Sequence, residues 1–175
     1  EILEDWDREL RAARSNRNAP EFYFTCKPVL LRYVLANLNG GDRVTYLDSD
    51  LYFFADPGPV EREFADSAVA LTPHRFPARL THLKRFGEFN AGWVSVSAAA
   101  EGRRFLEWWR ERCIEWCRVV PEETRFGDQK YLDQVPGLFR NVVSIFHPGV
   151  NAAPWNIGGL RIDASGASVD IEGHP

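Results

Sequence analysis

A short β-rich run, Arg43-Val-Thr-Tyr-Leu47, stops at Asp48-Ser49-Asp50, and this junction constrains the fold more than any other stretch of the chain. Val, Thr and Tyr favour a pleated strand. Acids at the C-terminal end of a buried strand stand where open α/β sheets bind ligands. Residues two apart on an extended segment point the same way, so both carboxylates are expected to face one site. Two such anions repel, and a hard cation such as manganese or magnesium would relieve the repulsion. The alternative is a solvated turn, since Asp and Ser are turn residues. Against it, the chain continues into Leu51-Tyr-Phe-Phe54, which is expected to keep the acids beside a buried region.

The rest of the pattern alternates strands with helices and predicts one α/β layered domain over residues 1–175. Residues 2–15 read as a charged amphipathic helix. A second helix is expected from an N-cap at Thr25 through Leu38, stopped by Gly40 and Gly41. Strands are expected at Ser67–Thr72, Phe89–Ser97 and Val142–Phe146, with a helix over Ala78–Arg85 behind Pro77. The clearest helix spans Ala99–Val119, where Phe105, Leu106, Trp109, Cys113, Trp116 and Cys117 form one stripe that reads as core packing. A shorter helix is expected over Asp128–Val135, and a hairpin over residues 160–171 turning at 163–166.

Composition narrows the function classes. The 175 residues are 45% hydrophobic and 13% aromatic, which fits a packed domain rather than a disordered chain. A net charge of −4 offers no field for nucleic acid, although a bound cation would invert the local sign for an anionic substrate. No apolar run approaches the roughly 20 residues of a membrane span, and no signal-peptide pattern opens the sequence. Three cysteines make no disulfide framework, so a reducing, cytoplasmic compartment is the simplest reading, with peripheral attachment to a membrane left open. Cys113 and Cys117 read as packed thiols. Glu1 is not a translation start and no Met occurs, so the chain reads as a fragment. Oligomeric state leaves no mark in the sequence.

Four segments carry a resemblance. Arg43 to Pro57, with Asp48-Ser49-Asp50 at its centre, is similar to the Asp-x-Asp segment of GT-A glycosyltransferases, above all glycosyltransferase family 8 and its uncharacterised bacterial relatives. Phe89-Asn90-Ala91-Gly92 resembles that family's Phe-Asn-Ala-Gly strand start, and Gly127-Asp128-Gln129 its Asp-Gln segment. His147-Pro148-Gly149 with Pro154-Trp155 resembles its His-x-x-Gly-x-x-Lys-Pro-Trp signature. The four stand in the family's order, from Arg43 to Trp155. Two departures occur: Gly149 comes one residue early, and Ala153 stands where the family has a diphosphate-binding lysine, a charge that Lys27 or an arginine could replace.

The resemblance implies a GT-A-type domain with a mixed central sheet, incomplete at the N-terminus, its nucleotide-base-binding strands lying upstream. It implies that Asp48, Asp50 and His147 hold Mn2+ or Mg2+, that Ser49 sits near the ribose, and that Asn90, Ala91, Gly92, Gly149 and Trp155 line the donor site. Asp128 and Gln129 would flank the anomeric carbon. Plain structural roles compete: a β-bulge at Asn90–Gly92, helix capping by Asp128, a structural His147, and a structured loop at His74-Arg75, either of which could instead meet phosphate or acceptor.

The implied reaction moves a sugar from a nucleoside-diphosphate sugar to a glycan or other hydroxyl acceptor, with retention. No carboxylate pair matches the double displacement of retaining hydrolases, so same-face departure and attack is the expected route. Two rivals are weighed against it. Haloacid-dehalogenase-like phosphatases also open on Asp-x-Asp after a strand, but want Thr or Val where Tyr52 stands. A non-catalytic sugar- or nucleotide-binding module is the other.

Overall fold

The computed structural model describes residues 2–39, 41–165 and 168–174. Two short helices come first, α1 (Ile2–Trp6) and α2 (Arg8–Arg14). They replace the single helix expected over 2–15, because the Asp7 carboxylate turns to accept the Glu9 and Leu10 amides and so starts a new helix. Helix α3 (Ala19–Leu35) begins earlier than expected. Asn18 and Glu21 form a reciprocal capping box with Pro20 in the first turn, while Thr25 lies mid-helix and bonds the Glu21 carbonyl.

Strand β1 (Arg43–Leu47) is followed by α4 (Gly58–Glu63) and β2 (Val69–Pro73). The segment Ala78–Phe86 winds as a 3-10 helix rather than an α-helix. Strand β3 (Phe89–Ser97) runs as expected, and α5 (Ala100–Glu115) ends before the expected Val119, with Trp116 extended. After a 3-10 turn at Lys130–Gln134 come α6 (Val135–Leu138) and β4 (Val142–Ser144), two residues shorter than expected. Strands β5 (Ile162–Ser165) and β6 (Ser168–Ile171) close the chain as a hairpin. Residues 163–165 belong to β5 rather than to its turn, and the expected turn position Gly166 lies outside the described residues.

The main sheet is mixed, ordered β1-β3-β2-β4, with β3 antiparallel to both neighbours and β2 parallel to β4. This is an α/β architecture. Alternation sorts side chains to its two faces. Val69, Leu71, Val94 and Val96 join Leu31 and Leu35 of α3 and Phe105, Leu106 and Trp109 of α5 in the larger core. Ala70 and Trp93 point to a second core with Val60, Phe64, Ile145 and Val150. Close seating of α5 requires Gly102, since a Cβ there would come within 2.1 Å of the Ser97 carbonyl. Cys113 and Cys117 are both fully buried, as packed thiols should be, although Cys117 lies past the end of α5.

Candidate functional site

A lysine organises the end of β1. Lys27, on the buried face of α3, is only 5% exposed and reaches three groups from three other segments. Its Nζ lies 3.2 Å from Asp48 Oδ1 and 3.0 Å from Asp128 Oδ2, and donates to the Ala91 carbonyl at 3.3 Å. The contact with Asp128 is an ion pair rather than a well-aligned hydrogen bond. Burial works against the ammonium, but Asp128 and Asp48 outweigh it and raise its pKa. Asp128 is itself raised by burial, with Lys27 opposing and Asp48 adding to the rise. Tyr46, whose ring lies 4.9 Å from the Lys27 ammonium, is pushed up to about 12, by burial first and then by the facing carboxylates.

Gly92 completes this corner. A Cβ there would meet Asn90 Oδ1 at 2.7 Å and Asp48 Oδ2 at 2.9 Å, so the bare glycine is what lets both side chains lie over the backbone. The pairing jumps from Leu71–Val94 to Thr72–Asn90, which loops out Ala91, Gly92 and Trp93 as a bulge in β3. The Asn90 carboxamide accepts from the Gly92 amide at 2.5 Å and donates to Asn151 at 3.4 Å. The bulge expected at the strand start is therefore present, and the Asn90 carboxamide is fixed by its contacts with Gly92 and Asn151.

The Asp-Ser-Asp segment is not extended. It turns, with the Leu51 amide donating to the Asp48 carbonyl, where an extended segment was expected. Asp48 is held by Lys27, while Asp50 lines a cavity of about 310 Å³ that His147, Gly149 and Asn151 share. Ser49 is exposed beside them. The run Leu51–Phe54 is not buried as expected: Tyr52 is 78% exposed, while Phe53 packs edge-on to Trp93 at 5.6 Å between ring centres.

His147 stands at the cavity rim with its ring edge-on to His174. Its pKa is lowered, by burial first and then by His174, so the imidazole is neutral at pH 7. Nδ1 accepts the Gly149 amide at 3.2 Å, which leaves the proton on Nε2; ligation through Nε2 would require that bond to be given up. Among the described residues no three His, Cys, Asp or Glu side chains gather at metal-ligating distance. The oxygen donors of Asp48 and Asp50 suit a hard cation, and Gly92 leaves the Asp48 carboxylate room.

The remaining expected residues are held by backbone. Trp155 Nε1 donates to the His74 carbonyl at 3.1 Å, and Gln129 Nε2 to the Phe86 carbonyl at 2.9 Å. Asp128 makes no helix cap; its carboxylate belongs to Lys27, because the 3-10 turn begins only at Lys130. Arg75 is not free for phosphate, since its guanidinium is spent on the carbonyls of His147, Pro148 and Val150. Lys27 is likewise committed to two carboxylates. Its role had one sequence signal, a lysine on the apolar face of α3, but its partners lie far away in the chain. Trp93 and Asn151 carried no signal at all.

The chain is similar to two proteins of Bacillus subtilis (strain 168). It is 40% identical over 152 residues to uncharacterized protein YfnF, covering 83% of this chain and 50% of YfnF. It is 33% identical over 172 residues to uncharacterized protein YfnD, covering 97% of this chain and 55% of YfnD. The chain thus spans about half the length of the curated relatives it matches. No protein-family model and no solved structure matches it. No helix among the described residues is long and apolar enough to cross a membrane.

Proposed function

We propose that this chain is part of a GT-A-type, metal-dependent glycosyltransferase that moves a sugar from a nucleoside-diphosphate sugar to an acceptor hydroxyl with retention. One observation carries the reading: Lys27 ties Asp48, the Ala91 carbonyl and Asp128 together, so three segments singled out by the family resemblance meet around one buried ammonium. In this reading Asp48 and Asp50 hold Mn2+ or Mg2+, and His147 joins them once it releases Gly149. The bound cation would act as a Lewis acid toward the departing diphosphate.

The chain's own groups do the rest. Lys27 orients the Asp48 and Asp128 carboxylates. Asp128, buried against that ammonium, is poorly suited to act as a nucleophile, which favours departure and attack on one face of the sugar over a covalent intermediate. Asn90 offers an amide to sugar hydroxyls beside the bare backbone of Gly92. Strands that bind the nucleotide base belong beside β1, whose outer edge is unpaired among the described residues.

Calorimetry of the full-length protein with manganese and a panel of nucleoside diphosphates tests this. Asp48→Ala and Asp50→Ala are each expected to weaken metal-dependent binding by at least about 100-fold. Wild-type affinity in both variants overturns the assignment. Hydrolysis of a generic aryl phosphate would instead favour a phosphatase, and binding without sugar transfer a non-catalytic module.

A further inference from the structure

The 3-10 winding of Ala78–Phe86 sorts its side chains into rows. Residues three apart eclipse one another in such a helix. Exposure accordingly repeats every three residues: Leu80, Leu83 and Phe86 are half-buried, and the other six positions are exposed. Arg79, His82 and Arg85 fall in one outer row, about 6 Å from one to the next. An α-helix, at 3.6 residues per turn, would fan the same three around its axis.

The row is basic and lacks partners. Most arginines of the chain are spent on carboxylates or backbone carbonyls, as Arg110, Arg118 and Arg103 are. Arg79 and Arg85 meet neither among the described residues. Arg79 instead lies against the backbone at Gly158, and Arg85 over the Phe86 ring at 4.6 Å. The run from His74 to Phe86 holds no Asp or Glu, in a chain of net charge −4. Lys130 adds an ammonium at the Arg85 end, where its Nζ donates to the Arg85 carbonyl at 2.7 Å. Both ends border the candidate site: Gln129 holds the Phe86 carbonyl, and Gly158 follows Trp155.

Charge complementarity calls for an anion, and spacing says which kind. Arg79 and Arg85 stand about 12 Å apart along the axis. One phosphate or carboxylate cannot reach both, whereas a chain bearing several acidic groups meets both at once. A membrane fits poorly, because interfacial helices turn their apolar side to lipid and here that row is the half-buried one. So does single-stranded nucleic acid, which stacks on open aromatic faces: Phe86 is flanked by Arg85 and Phe126.

We infer that the row of Arg79, His82 and Arg85 binds an acidic saccharide or polyol chain carrying several phosphate or carboxylate groups. That this chain is the acceptor rests on the transferase reading; that the row binds it does not.

The test uses full-length protein, with metal removed by a chelator, at about 50 mM salt. Trigalacturonate and a trimer of glycerol phosphate are titrated by saturation-transfer NMR, beside their monomers, maltotriose and hexathymidylate. Phosphatidylglycerol vesicles are tested by co-sedimentation. At least one acidic trimer is expected to bind with a Kd below about 1 mM, with its monomer about tenfold weaker and maltotriose not binding. The trimer that binds assigns carboxylate or phosphate as the recognised group. Arg79→Gln combined with Arg85→Gln should weaken that trimer about tenfold, and raising salt to about 200 mM should weaken wild-type binding severalfold. Arg8→Gln, which removes the same charge from an exposed position on α2, should change nothing. The inference fails if neither acidic trimer binds, if the double variant binds like wild type, or if maltotriose, hexathymidylate or vesicles bind the row as tightly. The assay holds no metal and no donor, so loss of the metal proposal leaves its outcome unchanged. With manganese and a panel of sugar nucleotides added, a row-bound trimer that gains no sugar overturns the acceptor role alone.

Discussion

At the scale of single residues, Lys27 and Gly92 decide how the corner works. Lys27 neutralises a buried Asp128 and an accessible Asp48 at once. Lys27→Met strands the Asp128 charge and should lower unfolding free energy by about 3–5 kcal/mol in urea denaturation. Adding Asp128→Asn removes the stranded charge, so the double variant should be more stable than Lys27→Met alone. An additive loss would show that the two side chains do not act as a pair. Gly92→Ala places a methyl against Asn90 and Asp48 where no space exists. On the proposed metal-dependent reading, diphosphate binding should weaken about tenfold or more, with a small change in Tm. A large Tm loss with unchanged affinity would mean that Gly92 serves folding only.

At the scale of elements, the joints between helices and the bulge in β3 carry the information that periodicity does not. Asp7 sits between α1 and α2, where it caps α2 and forms a two-pronged ion pair with Arg110 of α5 at 2.6 and 2.7 Å. Burial opposes its charge, but Arg110 and the capped amides outweigh burial and lower its pKa. A depressed carboxylate contributes stability that is present above its unfolded pKa and is lost as pH falls through the folded value. Wild type should therefore exceed Asp7→Asn in stability at neutral pH, with the gap closing below about pH 4 in acid titrations followed by circular dichroism. A gap that persists at acid pH would assign the effect to packing. The capping box at Asn18 and Glu21 was readable beforehand as Asn-Ala-Pro-Glu, yet Thr25 competes as a start because Ser and Thr serve as caps and as mid-helix donors alike.

At the scale of the whole molecule, α3 and α5 cover one face of the sheet, while α4 and the segment after β4 cover the other. The cavity opens beside that second layer, bordered by Ile171 and Val169 of the hairpin. The chain covers 50% of YfnF and 55% of YfnD. If base-binding strands join β1 as proposed, its amides in the full-length protein should exchange with deuterium as slowly as those of central β3. Fast exchange along β1 beside a protected β3 would leave β1 as a true edge and remove that part of the proposal.

Periodicity and turn chemistry by themselves determined that strands and helices alternate, that β1 and β3 lie where they do, and that Phe105, Leu106 and Trp109 face a core. Those patterns are local: a period of two or of 3.6 is written in neighbouring residues. The acid pair, Asn90–Gly92 and Asp128-Gln129 were also legible as candidates, because each is a short motif. Only the tertiary structure decided that Lys27 joins three of these segments, that the Asp-Ser-Asp segment turns so that its two acids serve different surroundings, and that Arg75 spends its charge on carbonyls. Long side chains can reach many partners, and which one they meet depends on how helices and strands are laid against each other, information that no stretch of neighbouring residues contains.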